Sequence, residues 1–181
     1  FQTGLKGNID EAIIKRALEN GMKEVAERYK KIDEIPFDFL LRRLSVVVTD
    51  GTKKQLITKG AVEEILNICT MVDYKGQVSP ITKEIKENIE KISRKLNEDG
   101  LRVVAICQKN DIEKIENFNL SDEKNMVLLG FIGFLDPPKE SAKESISKLN
   151  NAGIRVMVLT GDNAEVTRCV WELGAINYLH A

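Results

Sequence analysis

The residues in this sequence best suited to handling an anion or a flat ring are scattered along it: Phe37, Arg42, Lys59, Arg102, Asp136 and the run Thr160-Gly161-Asp162-Asn163. Lys59 follows the short β-prone run Gln55–Thr58 and precedes Gly60-Ala61, after which Glu63 and Glu64 sit in the first turn of an expected helix. A strand, a glycine and a helix make a corner where backbone N–H groups and one long cation can meet a phosphate. A lysine beside a glycine is equally at home as a solvated turn residue. Arg102 interrupts an otherwise apolar strand, and a half-buried guanidinium normally has an anionic partner, which makes it the strongest unaided candidate for a phosphate contact. Phe37 and Phe39 are two residues apart on an extended segment, so both rings face the same way, as a stacking platform for a base or as core. Arg42 and Arg43 could pair with phosphates or with acids, a solvated face being the usual outcome.

Thr160, Gly161 and Asp162 come at the carboxyl end of an apolar strand, where open α/β sheets gather their ligand sites. The threonine hydroxyl and glycine N–H could donate to a phosphoryl group, while an Asp or Asn at that point also serves as an ordinary helix N-cap. Asp136 has the same two readings, beside a phosphoryl site or simply ahead of a Pro-Pro helix start. No glycine-rich loop ending in Gly-Lys-Ser/Thr is present, which excludes a P-loop NTPase. The single histidine, His180, cannot complete a Ser/His/Asp or Cys/His set.

Elements must bring these residues together. The 181 residues carry a net charge of -1, with 43% hydrophobic and 30% charged residues, the balance of a globular chain without a nucleic-acid surface. The longest apolar run, Met126 to Leu135, is well short of the ~20 residues that cross a bilayer. Three cysteines, Cys69, Cys107 and Cys169, have no metal-ligand spacing and fit a reducing compartment. The chain opens without a methionine and reads as a piece of something longer.

Asn8-Ile9-Asp10 offers an N-cap to a helix over Glu11–Leu18 that stops near Asn20-Gly21, and a second helix is expected over Met22–Tyr29. Glu34–Phe39 reads as extended because of Pro36. Leu44–Thr49, the turn Asp50-Gly51 and Lys53–Thr58 form the clearest hairpin. A loop at Asp73–Gly76 leads to Ser79-Pro80 as cap and first helical residue, and Ile81, Ile85, Ile89, Ile92 and Leu96 mark one stripe of a helix that Asp99-Gly100 ends. Leu101–Cys107 reads as a strand, Asn110–Asn125 as a surface loop, and Met126–Leu135 as the next strand. From Asp136 the pattern becomes helix, apolar strand Ile154–Leu159, polar turn and helix, which is the parallel α/β grammar and places a domain boundary near Asp136.

Lys59-Gly60-Ala61, Gly100-Leu101-Arg102-Val103, Asp136-Pro137-Pro138-Lys139 and Met157–Asn163, in that order, make the chain resemble the cytoplasmic headpiece of P-type ATPases. Phe1–Lys6 and the stretch Glu34–Val48 look most like the bacterial magnesium-transporting branch. The resemblance implies an α/β chain. Residues 1–135 would form a nucleotide-binding domain with a mostly antiparallel sheet and flanking helices. Residues 136–181 would form an incomplete, Rossmann-like phosphorylation domain of the haloacid-dehalogenase type.

The same resemblance implies roles. Glu11 matches the acid that meets the adenine amino group, Phe37 the ring that stacks on adenine, and Lys59 with Gly60 the floor of the adenine and ribose pocket. Arg102 matches the arginine that reaches the phosphates, with Arg42 a further cation near them. Asp136 matches the hinge aspartate, and Thr160, Gly161 and Asp162 the loop that contacts the transferred phosphoryl group. Phe39 departs from the pattern, since many relatives carry arginine there. The implied ligands are ATP and Mg²⁺ as Mg-ATP. The implied partners are the remaining phosphorylation, actuator and membrane domains of one pump, at the cytoplasmic side of a membrane.

The Asp-Lys-Thr-Gly-Thr segment whose aspartate takes the phosphoryl group is not in this sequence, nor is the later Gly-Asp-Gly segment whose aspartate holds Mg²⁺. Covalent phosphoryl transfer needs both, so the chain is expected to bind nucleotide without hydrolysing it. Two rivals stand beside this reading: a haloacid-dehalogenase-type phosphatase, which would need an Asp-bearing first strand, and a regulatory or interaction domain that kept the fold and lost the ligand.

Overall fold

A computed structural model describes residues 8–110, 112, 117–135 and 140–157. Its helices are α1 (Asn8–Glu19), α2 (Lys23–Arg28), α3 (Val62–Ile68), α4 (Lys83–Glu98) and α5 (Glu140–Asn151). Its strands are β1 (Lys30–Asp38), β2 (Arg43–Thr49), β3 (Lys54–Gly60), β4 (Cys69–Tyr74), β5 (Gln77–Pro80), β6 (Leu101–Asn110) and β7 (Met126–Leu135), with a 3-10 turn at Leu120–Asp122. The chain divides into two compact units, Phe1–Glu87 with Val104–Ile132 and Asn88–Val103 with Gly133–Ala181.

The first unit is built on a seven-stranded sheet in the order β1-β2-β3-β6-β7-β4-β5. The pairs β1–β2, β2–β3, β3–β6 and β4–β5 are antiparallel, and β4 runs parallel to β7. This is the mixed, mostly antiparallel α/β architecture expected from the sequence. Burial alternates along β3: Leu56, Thr58 and Gly60 are buried, and Gln55, Ile57 and Lys59 between them are only half-buried. Interior strand β2 is covered on both faces, as buried Val47 and Val48 side by side require. Leu56, Ile65, Met126 and Leu128 are the largest fully buried apolar side chains.

The expected β2–β3 hairpin closes on Asp50, whose Oδ1 accepts from the backbone N–H groups of Thr52 (3.0 Å) and Lys53 (3.0 Å) and from Thr52 Oγ1 (2.7 Å). Gly51 takes the left-handed conformation the turn needs, at φ 94°. These donors, the Lys53 N–H foremost, hold the Asp50 carboxyl well below the usual carboxylate range. A carboxyl with a lowered folded-state pKa adds stability above its unfolded value, about 4, and loses it as pH falls through the folded value. Asp50→Ala is therefore expected to melt below the parent chain at about pH 7. The gap should narrow as the pH drops from about 4, which thermal melts across that range would check.

Three expectations need correction in this unit. Asp73–Gly76 is the tip of a β4–β5 hairpin, with Tyr74 opposite Gln77 and both intervening residues, Lys75 (φ 55°) and Gly76 (φ 84°), left-handed. Positive φ at both central positions is the two-residue turn that matches strand twist. Ser79-Pro80 ends edge strand β5, where a missing N–H costs nothing; the following helix is capped by Thr82, whose Oγ1 accepts from the Ile85 N–H at 3.2 Å. The end of the expected surface loop Asn110–Asn125 is structural as well. Phe118 is buried and its N–H donates to Asp33 Oδ2 at 3.1 Å, an Asn119/Asp122 capping box orders the next turn, and Glu123 enters the core.

The second unit contains most of α4, the first residues of β6, the last of β7, and α5. On α4, Ile85, Ile89 and Leu96 of the expected stripe are buried or half-buried, whereas Ile92 is 52% exposed and the inward line passes through the buried Ser93 beside it. Gly100 (φ 81°) and Gly153 (φ 76°) end α4 and α5 as expected. On α5, Ala142 and Ile146 are half-buried on one face, while Leu149 is exposed. Ile154–Met157 belong to no strand, and the remainder of the expected strand and helix lies outside the described residues.

Candidate functional site

Asp38 pairs with Arg43, and Arg43 with Gly60, so the ends of β1, β2 and β3 form one row across the sheet. The β1–β2 connection is shaped by Asp38, whose Oδ1 accepts from the N–H groups of Leu40 (2.8 Å) and Leu41 (2.9 Å). Arg42 then takes a left-handed conformation at φ 45°, which costs a non-glycine residue about 1 kcal/mol. Its carbonyl accepts the Ala61 N–H at 3.0 Å, clasping this turn to the β3–α3 corner. Gly60 is required there by closeness rather than by φ: a Cβ would lie 2.5 Å from Arg43 Cβ and 2.6 Å from the Arg42 carbonyl oxygen.

This frame carries Phe37, Arg42, Lys59 and Gly60 near one end of the sheet. Phe37 is 46% exposed and meets Phe39 edge-to-face, with ring centroids 5.1 Å apart. The two rings share a side as expected, and Phe39 at 87% exposure is not core. The Arg42 guanidinium reaches Glu64 Oε1 at 3.2 Å and Glu63 Oε2 at 3.7 Å, in the first turn of α3. Arg42 thus pairs with acids, an exposed contact worth at most about 1 kcal/mol.

Lys59 lies opposite Leu44 and Ile106, on the face of the sheet away from Thr58 and Gly60. It is no solvated turn lysine: its Nζ binds the Asp10 carboxylate of α1, and both side chains are about four-fifths buried. Asp10 is therefore not the N-cap of α1, which begins two residues earlier; its carboxylate serves Lys59 instead. Glu11, the next residue of the same helical turn, is exposed. Arg102, the second residue of β6, is half-buried and belongs to the other unit. Asp136, Thr160, Gly161 and Asp162 lie outside the described residues.

Sequence reasoning missed the polar cluster beneath this corner. Arg43, which sequence places with Arg42 on a solvated face, is buried and donates from Nε to Glu123 Oε2 at 2.6 Å. Glu123 Oε1 accepts from Ser45 Oγ at 2.6 Å, and Ser45 Oγ lies 2.7 Å from Thr58 Oγ1. Because a carboxylate only accepts, Ser45 must donate to it, and Thr58 must then donate to Ser45. Cys107 faces Thr58 across the β3–β6 ladder, and a hydrogen bond with the buried Cys69, together with burial, pushes its thiol pKa well above the ordinary range. Such a thiol stays protonated and unreactive. Among the described residues no group of three or more His, Cys, Asp or Glu could hold a metal ion, and no helix is long and apolar enough to cross a membrane.

Residues 2–141 match the family model described as P-type ATPase, cytoplasmic domain N. The chain belongs to that family. The N-domain match takes in Glu11, Phe37, Arg42, Lys59, Gly60, Arg102 and Asp136, and stops before Thr160. Among similar proteins is a magnesium-transporting ATPase, P-type 1, of Escherichia coli (strain K12), 42% identical over 90% of this chain and 18% of its own length. One of Salmonella typhimurium (strain LT2) is 37% identical over 96% of this chain and 20% of its own. A calcium-transporting ATPase of Listeria monocytogenes is 30% identical over 81% of this chain and 17% of its own. The N-domain chain thus spans about a fifth of the length of the curated relatives it matches.

Proposed function

We infer that this chain is the ATP-binding portion of a cation-transporting P-type ATPase, with Mg²⁺ as the transported ion. Its relatives with magnesium-transporting names are more similar to it than the calcium-transporting one, which supports that choice. The observation that carries the reading is the convergence of Phe37, Arg42, Lys59 and Gly60 at one end of the sheet, with Glu11 beside the Lys59 partner Asp10. Phe37 offers an exposed ring to stack on adenine, Glu11 an acid for the exocyclic amine, and Lys59-Gly60 the floor under base and ribose. Arg102 and Arg42 answer the phosphates. Mg²⁺ enters with the nucleotide as substrate, so no resident metal site is needed.

Residues 1–135 act as the nucleotide-binding domain in this reading, and 136–181 as part of a haloacid-dehalogenase-type phosphorylation domain with Asp136 at the hinge. Thr160, Gly161 and Asp162 meet the transferred phosphoryl group. The accepting aspartate lies elsewhere in the pump, among phosphorylation, actuator and membrane parts on the cytoplasmic side of a membrane. The chain holds and orients ATP, and transfer needs the nucleophile it lacks.

Calorimetric titration of the 181-residue chain with a non-hydrolysable ATP analogue should give weak, saturable binding, and incubation with Mg-ATP should release no phosphate. A folded chain that binds no nucleotide would overturn the reading, and phosphate release by the purified chain would revive the phosphatase alternative.

A further inference from the structure

We propose that Glu123, which none of the candidate roles above includes, is a positioning residue for the nucleotide site. It does not touch the ligand; it locks the Arg42-Arg43 end of β2 against the Lys59-Gly60-Ala61 corner. The proposal rests on the nucleotide-binding reading for its functional sense and on geometry for its substance. Glu123 is 3% exposed, and each of its oxygens accepts a bond of 2.6 Å, one from Arg43 Nε and one from Ser45 Oγ. Both donors belong to β2, and Ser45 passes the connection to Thr58 of β3. Arg43 and Ser45 sit directly opposite Gly60 and Thr58, so the carboxylate grips both strands on the face opposite Lys59.

The grip reaches the corner through contacts with no slack. Arg43 Cα and Cβ lie against Gly60 so closely that one methyl group would not fit, and the Arg42 carbonyl holds the Ala61 N–H. Arg42 stays in its left-handed conformation only if its surroundings impose it. The buried pair behind Arg43 and the Ala61 bond are the two contacts that bracket it. Glu123 is itself held from behind: the N–H of Phe118, five residues earlier, is fixed to Asp33 of β1, and the capping box at Asn119–Asp122 lies between.

Glutamine at position 123 keeps the shape but removes the charge: its amide oxygen can accept from Arg43 only as a neutral group, and its NH₂ can only donate, so Ser45 must reverse its hydroxyl toward Thr58 and both charge-assisted bonds are lost. The 181-residue Glu123→Gln chain should be compared with the parent at a temperature where circular dichroism shows both folded. In the variant, the Ala61 amide should exchange with solvent at least tenfold faster relative to the amides of Val47 and Leu56, further along the same two strands. Affinity for the ATP analogue should fall about tenfold. Equal changes at Ala61, Val47 and Leu56 would mean that Glu123 supplies only general stability and would overturn the proposal, as would an unchanged Ala61. Should glutamine prevent folding, Ser45→Ala removes one arm without stranding a charge, and the same selective loosening of Ala61 is expected. If the parent chain binds no nucleotide, the functional reading fails while the exchange comparison still decides whether Glu123 sets the corner.

Discussion

Arg43→Ala is expected to destabilise the first unit by about 3–5 kcal/mol, the cost of leaving one member of a buried ion pair without its partner. The magnitude follows from placement. Arg43 Nε and Glu123 Oε2 are 2.6 Å apart with both side chains shielded from water, so the carboxylate left behind can neither hydrate nor find another cation. Arg42, next in sequence, cannot replace it, because its guanidinium points to the acids of α3 and is exposed. Urea denaturation followed by circular dichroism measures the loss. The double variant Arg43→Met/Glu123→Leu should recover most of it, since uncharged replacements of similar volume remove the stranded charge. About 1 kcal/mol should stay missing because the Ser45 hydroxyl loses its acceptor. A single variant as stable as the parent would show that the pair contributes nothing net.

Lys59→Ala and Phe37→Ala are each expected to weaken binding of an ATP analogue about tenfold or more. For Lys59 the reason is a charge-assisted contact worth about 1.5–3 kcal/mol, and for Phe37 a base stacked on a ring worth about 1–3 kcal/mol; about 1.4 kcal/mol is a factor of ten. The two differ in their effect on stability. Phe37 is half-exposed and touches Phe39 at the end of a strand, so its truncation should leave the melting temperature nearly unchanged. Lys59 neutralises the largely buried Asp10, so its truncation should also lower stability; Lys59→Met, which keeps the stem packed, separates lost volume from lost charge. Unchanged affinity in both folded variants would remove the site assignment.

Much of this fold could be read locally. The β2–β3 hairpin was legible because Asp50-Gly51 carries its own turn chemistry and the flanking runs are β-branched. The ends of α1 and α4 were legible because Gly21 and Gly100 take positive φ, which glycine does at least cost. The β4–β5 hairpin was not, since Lys75 is an uncommon residue for a left-handed turn position, and Ser79-Pro80 imitates a helix start. Ile92 misled because steps of three and of four both fit a helical stripe: between Ile89 and Leu96 the inward position is Ser93, whose polar side chain gives no hydrophobic signal.

By itself the sequence determined the mixed α/β class, the order of most elements, and the ordered motifs around Lys59, Arg102 and Asp136, all of which depend on residues near one another in the chain. Only the tertiary structure decided who holds whom: Lys59 with Asp10, 49 positions away, and Arg43 with Glu123, 80 positions away. Nothing in Asp122-Glu123-Lys124 separates a core carboxylate from two neighbouring surface charges. Burial creates that difference, because an ion removed from water must find its counter-charge wherever the fold brings one, and sequence distance carries no record of it.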